Sequence, residues 1–115
     1  MAFEAMARSS GDVAVLELSG ELNAEADLAL NTAYAEAIAS NPTTVLLNFD
    51  NVSYINSTGI ALIVGLLAEA RGSGRTLMAC GLSEHYKEIF EITRIADFVT
   101  IFTDEASAVT AAAAP

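Results

Sequence analysis

The sequence predicts one α/β domain whose sheet has parallel members. Three observations carry that expectation. Strand-like and helix-like segments alternate along most of the 115 residues. Turn-forming Gly, Pro, Asn and Ser fall between the segments. Hydrophobic residues make up 53% and charged residues 17%, enough apolar material for a packed core and too little charge for disorder. The length fits a single domain over residues 1–115, and no internal repeat or linker divides it.

The segments follow in order. Met1–Arg8 alternates weakly, as an edge strand does. "SSGD" (Ser9–Asp12) is a turn signal, and "VAVLELS" (Val13–Ser19) alternates again, so the first two strands read as a hairpin ended by Gly20. "GELNAEADLAL" opens a helix with Asn23 as N-cap, Glu25 and Asp27 in its first turns, and a stripe of Leu28, Ala35 and Ile38 with Tyr34 beside it. "SNPTT" (Ser40–Thr44) breaks it. "VLLNF" (Val45–Phe49) has the continuous apolar run of a buried strand, followed by a brief loop. A helix starts within "YINSTGIALIVGLL" (54–67) and stops at Gly72 and Gly74. "TLMAC" (Thr76–Cys80) is the next strand. "SEHYKEIFEI" (Ser83–Ile92) reads as a helix capped by Ser83, with Tyr86, Ile89 and Phe90 on one face. "DFVTIF" (Asp97–Phe102) reads as the last strand, and Thr103–Ala114 as a helix that frays into alanines. Helices alternating with strands after the first hairpin imply crossover connections.

Composition narrows the function. With 15 acidic and 5 basic residues the net charge is -10, which repels nucleic acid and anionic membrane surfaces and mainly serves solubility. The longest apolar run, Ile60–Ala68, is too short to span a bilayer, which takes about 20 residues. The single cysteine, Cys80, reads as a small buried thiol. With no signal-peptide pattern it points to a reducing cytoplasm. His85 has no second ligand nearby and reads as a solvated helix residue, so no metal and no cofactor is expected. No nucleophile–His–acid set and no Walker-type glycine loop is present, so the chain is not expected to be an enzyme. Asp50 is the one feature of a receiver domain. The acidic pair and late lysine that such a site needs for Mg²⁺ and phosphate are missing from "LSGELN" and "MACG".

The junction "YINSTGI" holds the chemistry. A helix start exposes unpaired N–H groups and partial positive charge, and so accepts an anion. Asn56 or Ser57 can cap it, and Gly59 permits a close backbone approach. Ordinary capping accounts for such residues, and a phosphoacceptor at the helix start is the sharper reading. The helix is apolar nearly all round. Ile60, Ile63, Val64 and Leu67 suit the sheet, while Leu62 and Leu66 belong either to the core or to a partner surface.

From Val13 to about Val109 the chain resembles the STAS domains, and among them the stand-alone anti-sigma factor antagonists. "GELN" (Gly20–Asn23) resembles that family's Gly-x-Leu-Asp. "INSTGI" (Ile55–Ile60) resembles its Asp-Ser-[Ser/Thr]-Gly, and "IFEITRI" (Ile89–Ile95) its Leu-Phe-Asp-[Ile/Met]-[Thr/Ser]-Gly-Leu. The resemblance implies a mixed sheet of about five strands with about four helices packed mainly on one side. It implies a serine phosphorylated by a partner anti-sigma factor that is an ATP-dependent kinase. The unphosphorylated protein binds that kinase and frees the sigma factor, and a phosphatase restores binding. Carried over by position, the phosphoacceptor is Ser57, with Thr58 second. The partner-binding residues are Asn23, Asn56, Ser57, Thr58, Gly59, Leu62 and Leu66. The chain departs from the family at Asn23 and Asn56, amides in place of aspartates, and at Arg94 in place of glycine. The alternative is a STAS scaffold or transporter-associated subunit with no phospho-switch.

Overall fold

A computed structural model describes residues 2–113. Its elements are β1 (Glu4–Ser10), β2 (Val13–Leu22), α1 (Asp27–Ile38), β3 (Thr44–Ile55), α2 (Ser57–Gly72), β4 (Thr76–Cys80), α3 (Glu84–Ile92), β5 (Thr100–Phe102) and α4 (Glu105–Ala113). The five strands form one sheet in the order β1-β2-β3-β4-β5. β1 and β2 are antiparallel, and every later pair is parallel. Met1 of the expected first strand and Ala114 of the expected last helix lie outside the described residues.

The hairpin closes over Gly11 and Asp12, and Gly11 takes φ 61 at the first central position, where a II′ turn requires a positive φ. The three parallel connections all step the same way across the sheet. Right-handed crossovers then place α1, α2 and α3 on one face. The larger core lies there, between the helices and Ala14, Leu16, Leu18, Val45, Leu47, Phe49, Leu77 and Ala79. α4 follows the last strand, is free of that constraint, and covers the other face, with Ala108 against Val13, Val15, Leu46 and Cys80. Both faces of β2 and β3 are buried in their first halves, so "VAVL" and "VLLNF" read as apolar runs without alternation.

Several expectations are corrected. β2 does not end at Gly20 but continues to Leu22, and the expected loop after Phe49 is strand as far as Ile55. β3 holds an extra residue opposite Glu17–Ser19 and another opposite Gly20–Glu21. These bulges hide the pairing in a polar segment that reads as loop. The last strand is only Thr100–Phe102. Arg94 turns the chain at φ 69 and Ile95–Asp97 forms a 3₁₀ turn, its Asp97 carboxylate accepting from Arg94 at 2.6 Å.

Two helix faces are also corrected. In α1 the buried residues are Leu30, Ala33, Tyr34 and Ala37, while Leu28 is 80% exposed and Ala35 is exposed. In α2 they include Ile63, Leu66, Leu67 and Ala70, while Val64 is 45% exposed. Both helices are so rich in alanine or so apolar all round that composition does not mark the buried side. α3 behaves as expected: Ser83 caps it and Phe90 is buried, its ring edge-on to Phe49 at 6.0 Å.

Candidate functional site

The site is built where β2 and β3 end. Leu22 and Ile55 are their last paired residues. One step on, the Asn56 N–H donates to the Leu22 carbonyl at 3.2 Å, so the two strand ends stay tied as the chain turns into α2. Asn56 keeps an extended backbone, and its Oδ1 accepts from the Gly59 N–H at 2.9 Å. Of the two cap candidates, Asn56 is therefore the cap. Ser57 and Thr58 open the helix, both exposed, and among the described residues nothing hydrogen-bonds the Ser57 hydroxyl.

Gly59 is buried beneath them. A Cβ there would stand 2.1 Å from the Leu22 carbonyl oxygen, inside contact distance of fixed backbone. The absence of a side chain lets α2 rest directly on the end of β2. Asn23 is the next residue after Leu22. Its Oδ1 accepts from the Glu25 N–H at 3.0 Å and caps a 3₁₀ turn, Ala24–Ala26, ahead of α1. The helix thus starts at Asp27, later than the Asn23 cap implied. Both amides use the one atom type, a side-chain oxygen, that an aspartate would also supply. They keep the geometry of an acidic cap without its charge. The first turn of α2 has no acidic residue, so nothing on it opposes an anion at Ser57.

The other expected partner-binding residues divide. Leu62 is half-buried at the edge of the core. Leu66 is only 1% exposed and belongs to the core, so it is withdrawn from the surface set. An exposed apolar surface does exist on α2, but it is formed by other residues. Val64, Ala68 and Phe98 line a shallow groove of about 330 Å³, with the Arg71 guanidinium 4.8 Å above the Phe98 ring. A second missed residue is Tyr86 of α3, whose hydroxyl accepts from the Ile55 N–H at 2.9 Å, one residue before the cap. Its only trace in the sequence is an aromatic ring with a polar tip on an amphipathic helix.

Away from this end, Cys80 is buried and its thiol is pushed up to about 12, by burial first and then by Asp50 and Glu105. It is a core group at neutral pH. Asp50 lies against Gly81, where a Cβ would come within 2.3 Å of its Oδ1. Glu105 of α4 is held below the usual carboxylate range, chiefly by hydrogen bonds from Arg8, one of 2.9 Å, with Asn48 adding one of 3.2 Å. Among the described residues no group of three or more His, Cys, Asp or Glu is placed to hold a metal. Among the same residues no helix is long and apolar enough to cross a membrane.

The chain is thus an α/β domain with a mixed sheet wound in one direction and an exposed serine at a capped helix start. The STAS domain family model matches residues 4–108, and the chain belongs to that family. It is 35% identical over 57 residues to the anti-sigma-B factor antagonist of Staphylococcus aureus (strain NCTC 8325 / PS 47), a match covering 50% of this chain and 53% of that protein. The chain spans about half the length of the curated relatives it matches. Its fold is similar to that of an anti-sigma factor antagonist from Mycobacterium paratuberculosis, with TM-score 0.77, 18% identity and coverage of 96% and 93% of the two chains. It is also similar to the phosphorylated form of the Bacillus cell fate determinant SpoIIAA, with TM-score 0.69, 22% identity and coverage of 96% and 99%.

Proposed function

We propose that this chain is a cytoplasmic anti-sigma factor antagonist switched by phosphorylation of Ser57. Unphosphorylated, it binds an anti-sigma factor serine kinase and releases a sigma factor. The observation that carries the reading is the division of labour at the start of α2: Asn56 caps, and Ser57 is left exposed with its hydroxyl unengaged. The names of the curated relatives and the likeness to antagonist folds support it.

The transfer forms a bond between Ser57 Oγ and the γ-phosphorus of ATP. It breaks the bond to the ADP oxygen and passes the hydroxyl proton to a base on the kinase. The phosphoserine carries roughly -1.5 to -2 charge at pH 7. The N-terminal end of the 16-residue α2 helix stabilises that charge, so the fold survives. A kinase surface shaped for a neutral hydroxyl does not tolerate it, so the complex parts until a phosphatase removes the group. Asn23, Asn56, Thr58 and half-buried Leu62 form the surrounding contact surface, with Gly59 setting the close approach beneath.

The test is incubation with an anti-sigma factor serine kinase and Mg²⁺-ATP, followed by mass spectrometry and binding measurements. One phosphate is expected on Ser57. Ser57→Ala should keep the kinase bound, and Ser57→Asp should weaken binding at least about tenfold while remaining folded, since an acid at a helix start is stabilising. An unmodified Ser57, together with unchanged binding by Ser57→Asp, would refute the assignment. That result would favour a STAS scaffold or transporter-associated subunit without a phospho-switch. The two amides, Asn23 and Asn56, already lean toward that second reading.

A further inference from the structure

β3 is paired with β4 only as far as Asn48 and Cys80, yet it runs on to Ile55. The N–H groups on that side of its second half therefore lack a neighbouring strand. Because the Asn56 N–H points to β2, to the Leu22 carbonyl, alternation in a parallel ladder points the Ile55 N–H the other way, toward the space β4 has left. Ile55 is buried, so an unpaired N–H there would be costly. Tyr86 meets it, its hydroxyl oxygen accepting at 2.9 Å. Tyr86 is itself held by the start of α3, where its N–H donates to the capping Ser83 hydroxyl at 3.3 Å. A side chain from a different connection thus takes the place of a missing strand, one residue before Asn56 and two before Ser57.

We infer that Tyr86 is a positioning residue for the Ser57 hydroxyl, acting through the Ile55 N–H. The inference rests on the reading of Ser57 as phosphoacceptor. The turn from β3 into α2 is held on one side by Leu22 and on the other by Tyr86. With both anchors in place the first turn of α2 is fixed relative to the sheet. Phosphoryl transfer depends on in-line placement of the attacking oxygen, and small displacements of it slow the step. Tyr86 is only half-buried and α3 lies at the surface, so a partner gripping α3 would act on the same anchor.

Tyr86→Phe removes the acceptor and keeps the ring. It should raise the hydrogen-exchange rate of the Ile55 amide on the order of tenfold, and lower kcat for Ser57 phosphorylation by an anti-sigma factor serine kinase about fivefold, for the loss of one hydrogen bond. KM should stay within about twofold, because the exposed contact surface is untouched. Val15→Ala, a destabilising change under α4 on the other face of the sheet, is the control and should leave kcat unchanged. A phosphorylated wild type with equal kcat in Tyr86→Phe, or an equal fall in kcat for Val15→Ala, overturns the positioning role alone. A wild type that takes no phosphate on Ser57 overturns the assignment beneath it, and the positioning role falls too. The Ile55 exchange rate, read without any kinase, then reports only whether Tyr86 anchors the end of β3.

Discussion

The two halves of β3 differ in almost every respect. Thr44–Asn48 lies between β2 and β4, is buried on both faces and keeps an even register. Asp50–Ile55 has lost β4, is mostly exposed, and contains two register shifts against β2. The first half is held by burial. The second is held by its pairing with β2 alone and, at its far end, by directional bonds to the Leu22 carbonyl and the Tyr86 hydroxyl. One continuous strand therefore joins a rigid interior to a presented turn, and damage to the two ends should be felt in different measurements.

The largest effect is expected in the buried half. Leu47→Ala, at a position 1% exposed, should cost about 2–5 kcal/mol of stability, read by denaturant unfolding. It should leave kinase binding by the remaining folded protein unchanged. A loss of binding that exceeds the loss of folded protein would break the distinction between the halves.

A middle-sized effect is expected at the presented end. Asn56→Ala removes the cap of α2 and should cost about 1 kcal/mol. Asn56→Asp keeps an oxygen acceptor, adds a favourable charge at the helix start, and should gain about 0.3–1 kcal/mol in thermal denaturation at neutral pH. The new carboxylate would sit beside Ser57, so the Asn56→Asp protein also tests whether the neutral cap alters phosphorylation rate.

The smallest effect concerns the tie between the first half and α4. Arg8 holds the folded pKa of Glu105 below its ordinary value, aided by Asn48. The stabilisation is therefore present above the ordinary glutamate value and is lost as pH falls through the folded pKa. Glu105→Gln should be less stable than wild type at pH 7 by under about 1 kcal/mol, since the pair is partly solvated. The gap should close in acid. A gap that is constant with pH would mean that packing of α4, rather than charge, is at stake.

The same contrast explains what the sequence made legible. The buried strands announce themselves, because Val13–Leu16 and Val45–Leu47 are buried on both faces and apolar throughout. The junction at Asn56 and Ser57 is also legible, since capping residues and a glycine mark a helix start locally. Asp50–Ser53 reads as loop because a half-exposed, bulged strand carries polar residues where a regular one would alternate. The buried sides of α1 and α2 are hidden for the opposite reason: alanine and leucine occupy all faces, so Leu28 and Val64 look like core and Leu66 fits core or surface alike. Tyr86 could not be found locally at all, because its partner is 31 residues away and appears only when β4 stops short.

The strand order itself has a further consequence. In α/β sheets that wind both ways from a central strand, neighbouring connections leave in opposite directions and open a crevice that houses nucleotides. Here β2, β3, β4 and β5 follow one another without reversal, so adjacent connections lean the same way and no such cleft is opened. What stands at this end of the sheet is the exposed first turn of α2. Under the phosphorylation proposed above for Ser57, the ATP would then have to be held by the kinase.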